Sequence, residues 1–163
     1  MGPISAKTYP GELWKPDDGL RAGYQPDYGR RGKTWVFGAF EPATGQALTF
    51  CHEKRDSAGY IKLQKGVFEY FPAKEWVLIQ DNLSTHTSRN AQAALLAYEE
   101  VVQVLFIPKY CCWLNLIEPW WKQLRSLALN GRRFDTVEEI INSVAKSTEY
   151  WNNHRYPYVW KKV

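Results

Sequence analysis

Two carboxylates stand where the chain could do metal chemistry. Asp81 ends the apolar run Trp76-Val-Leu-Ile-Gln80, and the carboxyl end of a strand is where open α/β sheets place their ligands. From rigid backbone at such a point a carboxylate can reach a hard divalent cation through oxygen. The competing assignment is a turn cap, because Asp81 and Asn82 can bond their own backbone, and position alone does not separate the two. Glu118 lies in Asn115-Leu-Ile-Glu118, in the first turn of a helix with Asn115 at the N-cap and Glu118 at N3. That pattern resembles a capping box and suits the positive helix end. Lys122, one turn later, offers an ordinary ion pair. Against these structural readings stands the pair itself, since two carboxylates on adjacent elements of one sheet can converge on a shared metal. His86 taken singly reads as a surface hydrogen-bonder.

The elements that must position these residues follow from patterning. Residues 1–32 carry Gly or Pro at short intervals, which breaks regular structure and predicts an ordered coil. Lys33–Glu41 and Gln46–His52 are β-branched and aromatic around Pro42-Ala-Thr-Gly45, the chemistry of a hairpin. Ser57 is the expected N-cap of a helix in which Ile61, Leu63, Val67, Phe68 and Phe71 recur at helical spacing up to Pro72. A short strand, residues 76–80, precedes an Ala/Leu-rich helix over 87–100 and a second strand over 101–107, stopped by Pro108. Such unalternating runs suit parallel strands covered on both faces. Asn115 opens a helix to about residue 130, and Asp135 caps a last one with Val137, Ile140, Ile141, Val144, Thr148 and Trp151 in register. The order hairpin, helix, strand, helix, strand, helix, helix predicts one α/β domain with a mixed sheet.

Composition narrows the class. Apolar residues make up 45% and charged residues 23% of the 163, excluding collagen-like and disordered chains. Cys51, Cys111 and Cys112 form no Cys-x-x-Cys pair, so neither a disulfide framework nor a zinc module is indicated and a reducing, intracellular setting is expected. No apolar run is long enough to span a membrane. The 21 Lys and Arg exceed the 17 Asp and Glu by a formal +4, which matters for nucleic acid only where the cations cluster. They cluster at Arg30-Arg31-Gly32-Lys33, at Lys122 with Arg125, and at Arg132-Arg133.

Val77-Leu-Ile-Gln-Asp-Asn-Leu-Ser-Thr-His86 and Phe106-Ile-Pro-Lys-Tyr-Cys-Cys-Trp-Leu-Asn-Leu-Ile-Glu-Pro-Trp-Trp-Lys122 resemble the second and third catalytic segments of mariner-like insertion-sequence transposases. The family pattern reads apolar-apolar-x-Asp-Asn-x-x-x-His, then Pro-x-x-x-x-x-Leu-Asn-x-Ile-Glu-x-x-Trp. The interval from Asp81 to Glu118 is close to the family's, and Arg30–Ala39 resembles the segment leading into its hairpin. The resemblance implies a ribonuclease H-like domain in which three acids, Asp-Asp-Glu, hold two Mg²⁺ or Mn²⁺ ions for phosphoryl transfer on DNA. Residue by residue, Asp81 matches the second acid and Glu118 the third. Asn82, His86 and Asn115 match motif positions that support ligands or position DNA. Lys109, Lys122, Arg125, Arg132 and Arg133, flanking Glu118, are expected to neutralise phosphates.

The family's first acid ends a strand reading apolar-apolar-Asp-Glu, followed closely by residues like Met1-Gly2-Pro3. Residues 1–163 are therefore expected to form a catalytic domain short of its first, central strand and without a helix-turn-helix domain. Glu12, Asp17 and Asp18 sit in the Gly/Pro-rich coil and are poor substitutes. Weakened two-metal occupancy, exposed strand edges and impaired strand transfer follow. The rival expectation is a non-catalytic remnant that regulates by binding DNA or intact transposase. A nuclease acting on RNA hybrids fits the Asn-x-Ile-Glu motif less well. Expected partners are transposon-end and target DNA, with a homodimer or larger assembly on it, in the cytoplasm at the nucleoid.

Overall fold

A computed structural model describes residues 1–11, 27–29, 31–109, 111 and 114–158. Glu12, Asp17, Asp18, Arg30 and Cys112, and the predicted coil over 12–26, lie outside the described residues. The chain runs β1 (Ile4–Ser5), β2 (Lys33–Glu41), β3 (Gln46–His52), α1 (Ser57–Tyr70), β4 (Trp76–Gln80), α2 (Arg89–Leu96), β5 (Val102–Phe106), α3 (Ile117–Ala128), α4 (Val137–His154).

β2 and β3 pair antiparallel from Trp35↔His52 to Glu41↔Gln46, as the hairpin pattern requires. Gly45 closes the turn at φ 75°, a left-handed conformation that glycine adopts without Cβ strain. Residues 1–32 are not all coil, because β1 adds to the start of β2 through Ile4↔Thr34 and Ser5↔Lys33. β4 and β5 pair in parallel through the α2 crossover, from Trp76↔Val102 to Gln80↔Phe106. The strands thus form a three-stranded antiparallel sheet and a two-stranded parallel one.

Side-chain alternation along β2 and β3 builds two cores on opposite faces. Val36 and Ala47 pack with Trp120, Leu124, Ile140, Val144 and Trp151 of α3 and α4. Phe37, one residue on, packs with Tyr60, Leu63 and Val67 of α1, with Leu48, Phe50, Trp76 and Leu78 against them. Helices therefore cover both faces of the hairpin. The parallel pair hangs on the α1 side, where Trp76 Nε1 donates to the Phe71 carbonyl at 3.1 Å and Tyr60 donates its hydroxyl to Gln80 Oε1.

Several predicted boundaries move by a residue or more, each for a local reason. Asp56, not Ser57, caps α1 by accepting from the Gly59 N–H. Ser88 caps α2, which ends at Leu96, shorter than the Ala/Leu composition suggested. Thr136, not Asp135, caps α4, while the Asp135 N–H donates to Glu139 at 2.8 Å. The expectation that both faces of the parallel strands are covered is corrected as well: Val77 and Ile79 are 56% and 57% exposed and Leu105 is 43% exposed. These three share the face that points away from α1, because residues paired across the ladder lie on one side.

Candidate active site

Asp81 follows the last residue of β4, and its carboxylate does what a turn cap does: Oδ1 accepts from the Leu83 N–H at 3.3 Å. The same oxygen lies 2.9 Å from His86 Nδ1, which also sits 3.1 Å from the Asp81 carbonyl. Oδ2 stays outside these contacts, so the cap and a metal-directed role are compatible. The His86 ring is set by Tyr60, with centroids 4.3 Å apart. Asn82 donates Nδ2 to the Ile107 carbonyl at 2.6 Å, tying the ends of β4 and β5 together.

Glu118 does not form the capping box. α3 begins at Ile117 with Leu116 as its N-cap and no side-chain cap bond, which puts Glu118 at N2, too early to reach back to the Asn115 amide. Asn115 instead gives its carbonyl to the Glu118 N–H at 3.0 Å and its Oδ1 to the Ile117 N–H at 3.5 Å. Among the described residues no ion pair joins Glu118 to Lys122, so neither structural role claims the Glu118 carboxylate.

Both acids line one cleft of about 820 Å³ that residues of β2 and β4 also line. Glu118, Trp121, Lys122 and Arg125 all line it, because spacings of three and four residues stack side chains on one helix face. The opposite face of α3 buries Trp120, Leu124 and Ala128. One buried group registers the charges from both sides. The Met1 amino group, bonded to the Val36 carbonyl at 2.7 Å, has its pKa lowered to about 6 by burial, opposed by Glu118 and Asp81 and reinforced by Arg55 and Arg125.

Arg55 was not among the expected site residues. It lines the cleft with its guanidinium 4.9 Å from the Trp35 ring; in sequence it belongs to the polar run Glu53-Lys-Arg-Asp56, which reads as a solvated loop. Arg132 and Arg133 are not brought to the cleft. They sit in a separate hollow of about 470 Å³ with Ser143 and Lys146, where Arg132 donates to Ser143 at 3.0 Å and Arg133 pairs with Asp135 at 3.0 Å. The physical reason is distance, since α3 advances about 1.5 Å per residue and carries them away from Glu118. Lys109 is exposed just past β5 and does not line the cleft.

Asp81 and Glu118 are hard oxygen donors on rigid elements and fit a divalent cation of the Mg²⁺ or Mn²⁺ type. Among the described residues, no group of three or more His, Cys, Asp and Glu side chains is placed to hold a metal. Two carboxylates provide part of a cation's shell, and a two-ion site needs further donors.

This arrangement is that of a ribonuclease H-like fold. The Mos1 transposase paired-end complex with left transposon end matches with a TM-score of 0.68 at 20% identity, over 95% of this chain and 46% of that one. The Mos1 mariner paired end complex with Mn matches at 0.60 and 18%, over 91% and 51%. A family profile described as a DDE superfamily endonuclease matches residues 3–141, and the chain belongs to that family. The insertion element IS630 uncharacterized 39 kDa protein of Shigella sonnei is 27% identical over 117 residues. That match covers 71% of this chain and 34% of the relative, so the chain spans about a third of the curated relative's length.

Proposed function

We propose that residues 1–163 form a transposase catalytic domain that cleaves and transfers DNA strands, with Asp81 and Glu118 as ligands of Mg²⁺ or Mn²⁺. The observation that carries this reading is that both acids line one cleft whose α3 wall also presents Lys122 and Arg125, with Asp81 Oδ2 outside the cap and His86 contacts that Oδ1 makes. A bound divalent cation supplies Lewis-acid polarisation of a phosphoryl oxygen and a nucleophile at neutral pH. The chain's own residues supply the rest. His86 holds the Asp81 carboxylate from behind, Asn82 anchors the turn that carries it, and Asn115 anchors the first turn that carries Glu118. Lys122, Arg125 and Arg55 meet phosphate oxygens along the cleft. Transposon-end DNA is the substrate, and the paired-end complexes among the similar structures support a homodimer or larger assembly on DNA. No helix among the described residues is long and apolar enough to cross a membrane; a site of action in the cytoplasm at the nucleoid belongs to this reading because its substrate is DNA.

Two carboxylates, among the described residues, make the isolated chain a weak catalyst. Its strand-transfer activity is expected at background, while metal and DNA binding persist. Mn²⁺ binding followed by electron paramagnetic resonance tests the site: Asp81→Asn and Glu118→Gln should each weaken affinity by about tenfold or more, at least the cost of losing an outer-shell partner. Unchanged affinity in both variants overturns the ligand assignment. Robust Mg²⁺-dependent nicking and joining of DNA ends by the unmodified chain overturns the impairment. A chain that binds DNA without cleaving it is also equipped to compete with an intact enzyme, and dominant inhibition on mixing the two is the measure of that role.

A further inference from the structure

Asp81 and Glu118 reach the cleft from different parts of the molecule. Glu118 rides on α3, which packs against the face of the hairpin that bears Val36 and Ala47. Asp81 rides on the parallel pair, which joins the opposite face through α1: Tyr60, Leu63 and Val67 share one core with Phe37 of β2 and with Trp76 and Leu78 of β4. Whatever fixes the turn from Asp81 to His86 against α1 therefore helps to fix one acid relative to the other.

Tyr60 touches both ends of that turn. At one end its hydroxyl donates to Oε1 of the buried Gln80, whose Nε2 has no partner among the described residues. At the other end its ring lies against that of His86, with centroids 4.3 Å apart and planes tilted by 38°. Burial, together with the nearby Asp81 charge, keeps the phenol in its protonated, donating form. Tyr60 is itself fixed on the hairpin side. Asp56 caps the helix through the Gly59 N–H at 2.9 Å, and Gly59 sits so close to β2 that a Cβ there would come within 2.7 Å of the Phe37 ring. His86 Nδ1 faces two oxygens, Asp81 Oδ1 at 2.9 Å and the Asp81 carbonyl at 3.1 Å. A carbonyl oxygen only accepts, so Nδ1 carries the proton and donates. With the ring held in that plane Oδ1 is engaged; a ring free to turn would release it and let the carboxylate rotate.

We propose that Tyr60 is a positioning residue: its ring fixes the plane of His86 and, through His86, the carboxylate of Asp81, so that Oδ2 is the oxygen left for the cation. The aromatic face acts on His86, while the hydroxyl holds the residue just before Asp81. Partners that orient a ligand in this way are commonly worth about tenfold to a hundredfold in metal affinity. The inference rests on the ligand assignment made above and adds to it the α1 residue on which that assignment depends.

The test compares Tyr60→Leu, which removes the ring, with Tyr60→Phe, which keeps the ring and loses only the hydroxyl, and with Phe68→Leu. Phe68 lies on the same helix against Trp76 and Tyr98, so its replacement removes aromatic packing without touching His86. In the metal-free chain, in chelator and above the usual imidazole pKa, nitrogen-15 NMR of His86 reads which ring nitrogen holds the proton. The unmodified chain, Tyr60→Phe and Phe68→Leu are expected to show Nδ1 protonated, and Tyr60→Leu a mixture of both tautomers. Mn²⁺ affinity, read by electron paramagnetic resonance, should fall about tenfold in Tyr60→Leu, return in Tyr60→Phe and hold in Phe68→Leu. Tyr60→Met, which fills the space without a ring, takes the place of Tyr60→Leu if that variant does not fold. An unchanged His86 tautomer or unchanged Mn²⁺ affinity in the ringless variant overturns the proposal, and so does an equal loss of affinity in Phe68→Leu, the mark of general loosening. If Asp81→Asn leaves Mn²⁺ binding intact, the ligand assignment fails on its own, and the His86 signal, taken without metal, still decides whether Tyr60 sets the ring.

Discussion

Tyr60 donates its hydroxyl to Gln80 Oε1 and sets its ring against that of His86, so a buried phenol stands behind the acid at the end of β4. Burial pushes its pKa from 10 up to about 12. The folded state then holds the phenol proton more tightly than the unfolded one, so this contribution is complete below pH 10 and is lost as pH rises from 10 to 12. Two units correspond to about 2–3 kcal/mol. Urea unfolding should show the native chain losing about that much stability across the window, beyond any loss in Tyr60→Phe. At this scale Asp81, Glu118, Asn82, His86 and Asn115 could be singled out from sequence, since their types and spacing form local motifs. Tyr60 and Arg55 could not be, because each reaches the site from a distant element and nothing in their own neighbourhood marks them.

Helices and strands were legible wherever apolar periodicity ran on, but their first residues were not: Asn115 stood alone as a cap, yet α3 starts from Leu116. Where Asp56 and Ser57, or Asp135 and Thr136, stood side by side, either could cap, and backbone geometry chose. The β2–β3 turn shows how an element depends on its surroundings. The Gly45 carbonyl accepts from Trp151 Nε1 at 2.7 Å, and a Cβ at Gly45 would overlap the Tyr156 carbonyl oxygen. Gly45→Ala meets both a positive φ and that overlap. It is expected to destabilise the fold by about 2 kcal/mol, read as a lowered thermal midpoint with secondary structure retained below it. Gly38 is similarly placed: an added Cβ would come within 2.5 Å of the Trp121 ring, and Gly38→Ala should cost about 1–3 kcal/mol by overpacking.

At the scale of the whole molecule, two pairs of cations close in sequence are parted in space. Lys122 and Arg125 line the cleft with Arg55, whereas Arg132 and Arg133 are engaged with Ser143 and Asp135 in another hollow. DNA affinity measured against salt concentration separates the two groups. Lys122→Gln and Arg125→Gln should each lower affinity for all sequences alike and reduce the salt slope by about one. Arg132→Gln and Arg133→Gln should leave the slope close to its original value. The net charge of +4 could not separate these groups, because a count carries no geometry.

The sequence by itself determined the order of the elements from the hairpin onward and the family motifs that single out the two acids, all properties written in neighbouring residues. Tertiary structure decided that Asp81 caps its turn through one oxygen alone, that Glu118 forms neither the capping box nor the ion pair, and which cations share their cleft. Those outcomes depend on helix start points a residue or two apart, and on packing between segments distant in sequence, where the spacing of residue types says nothing about distance in space.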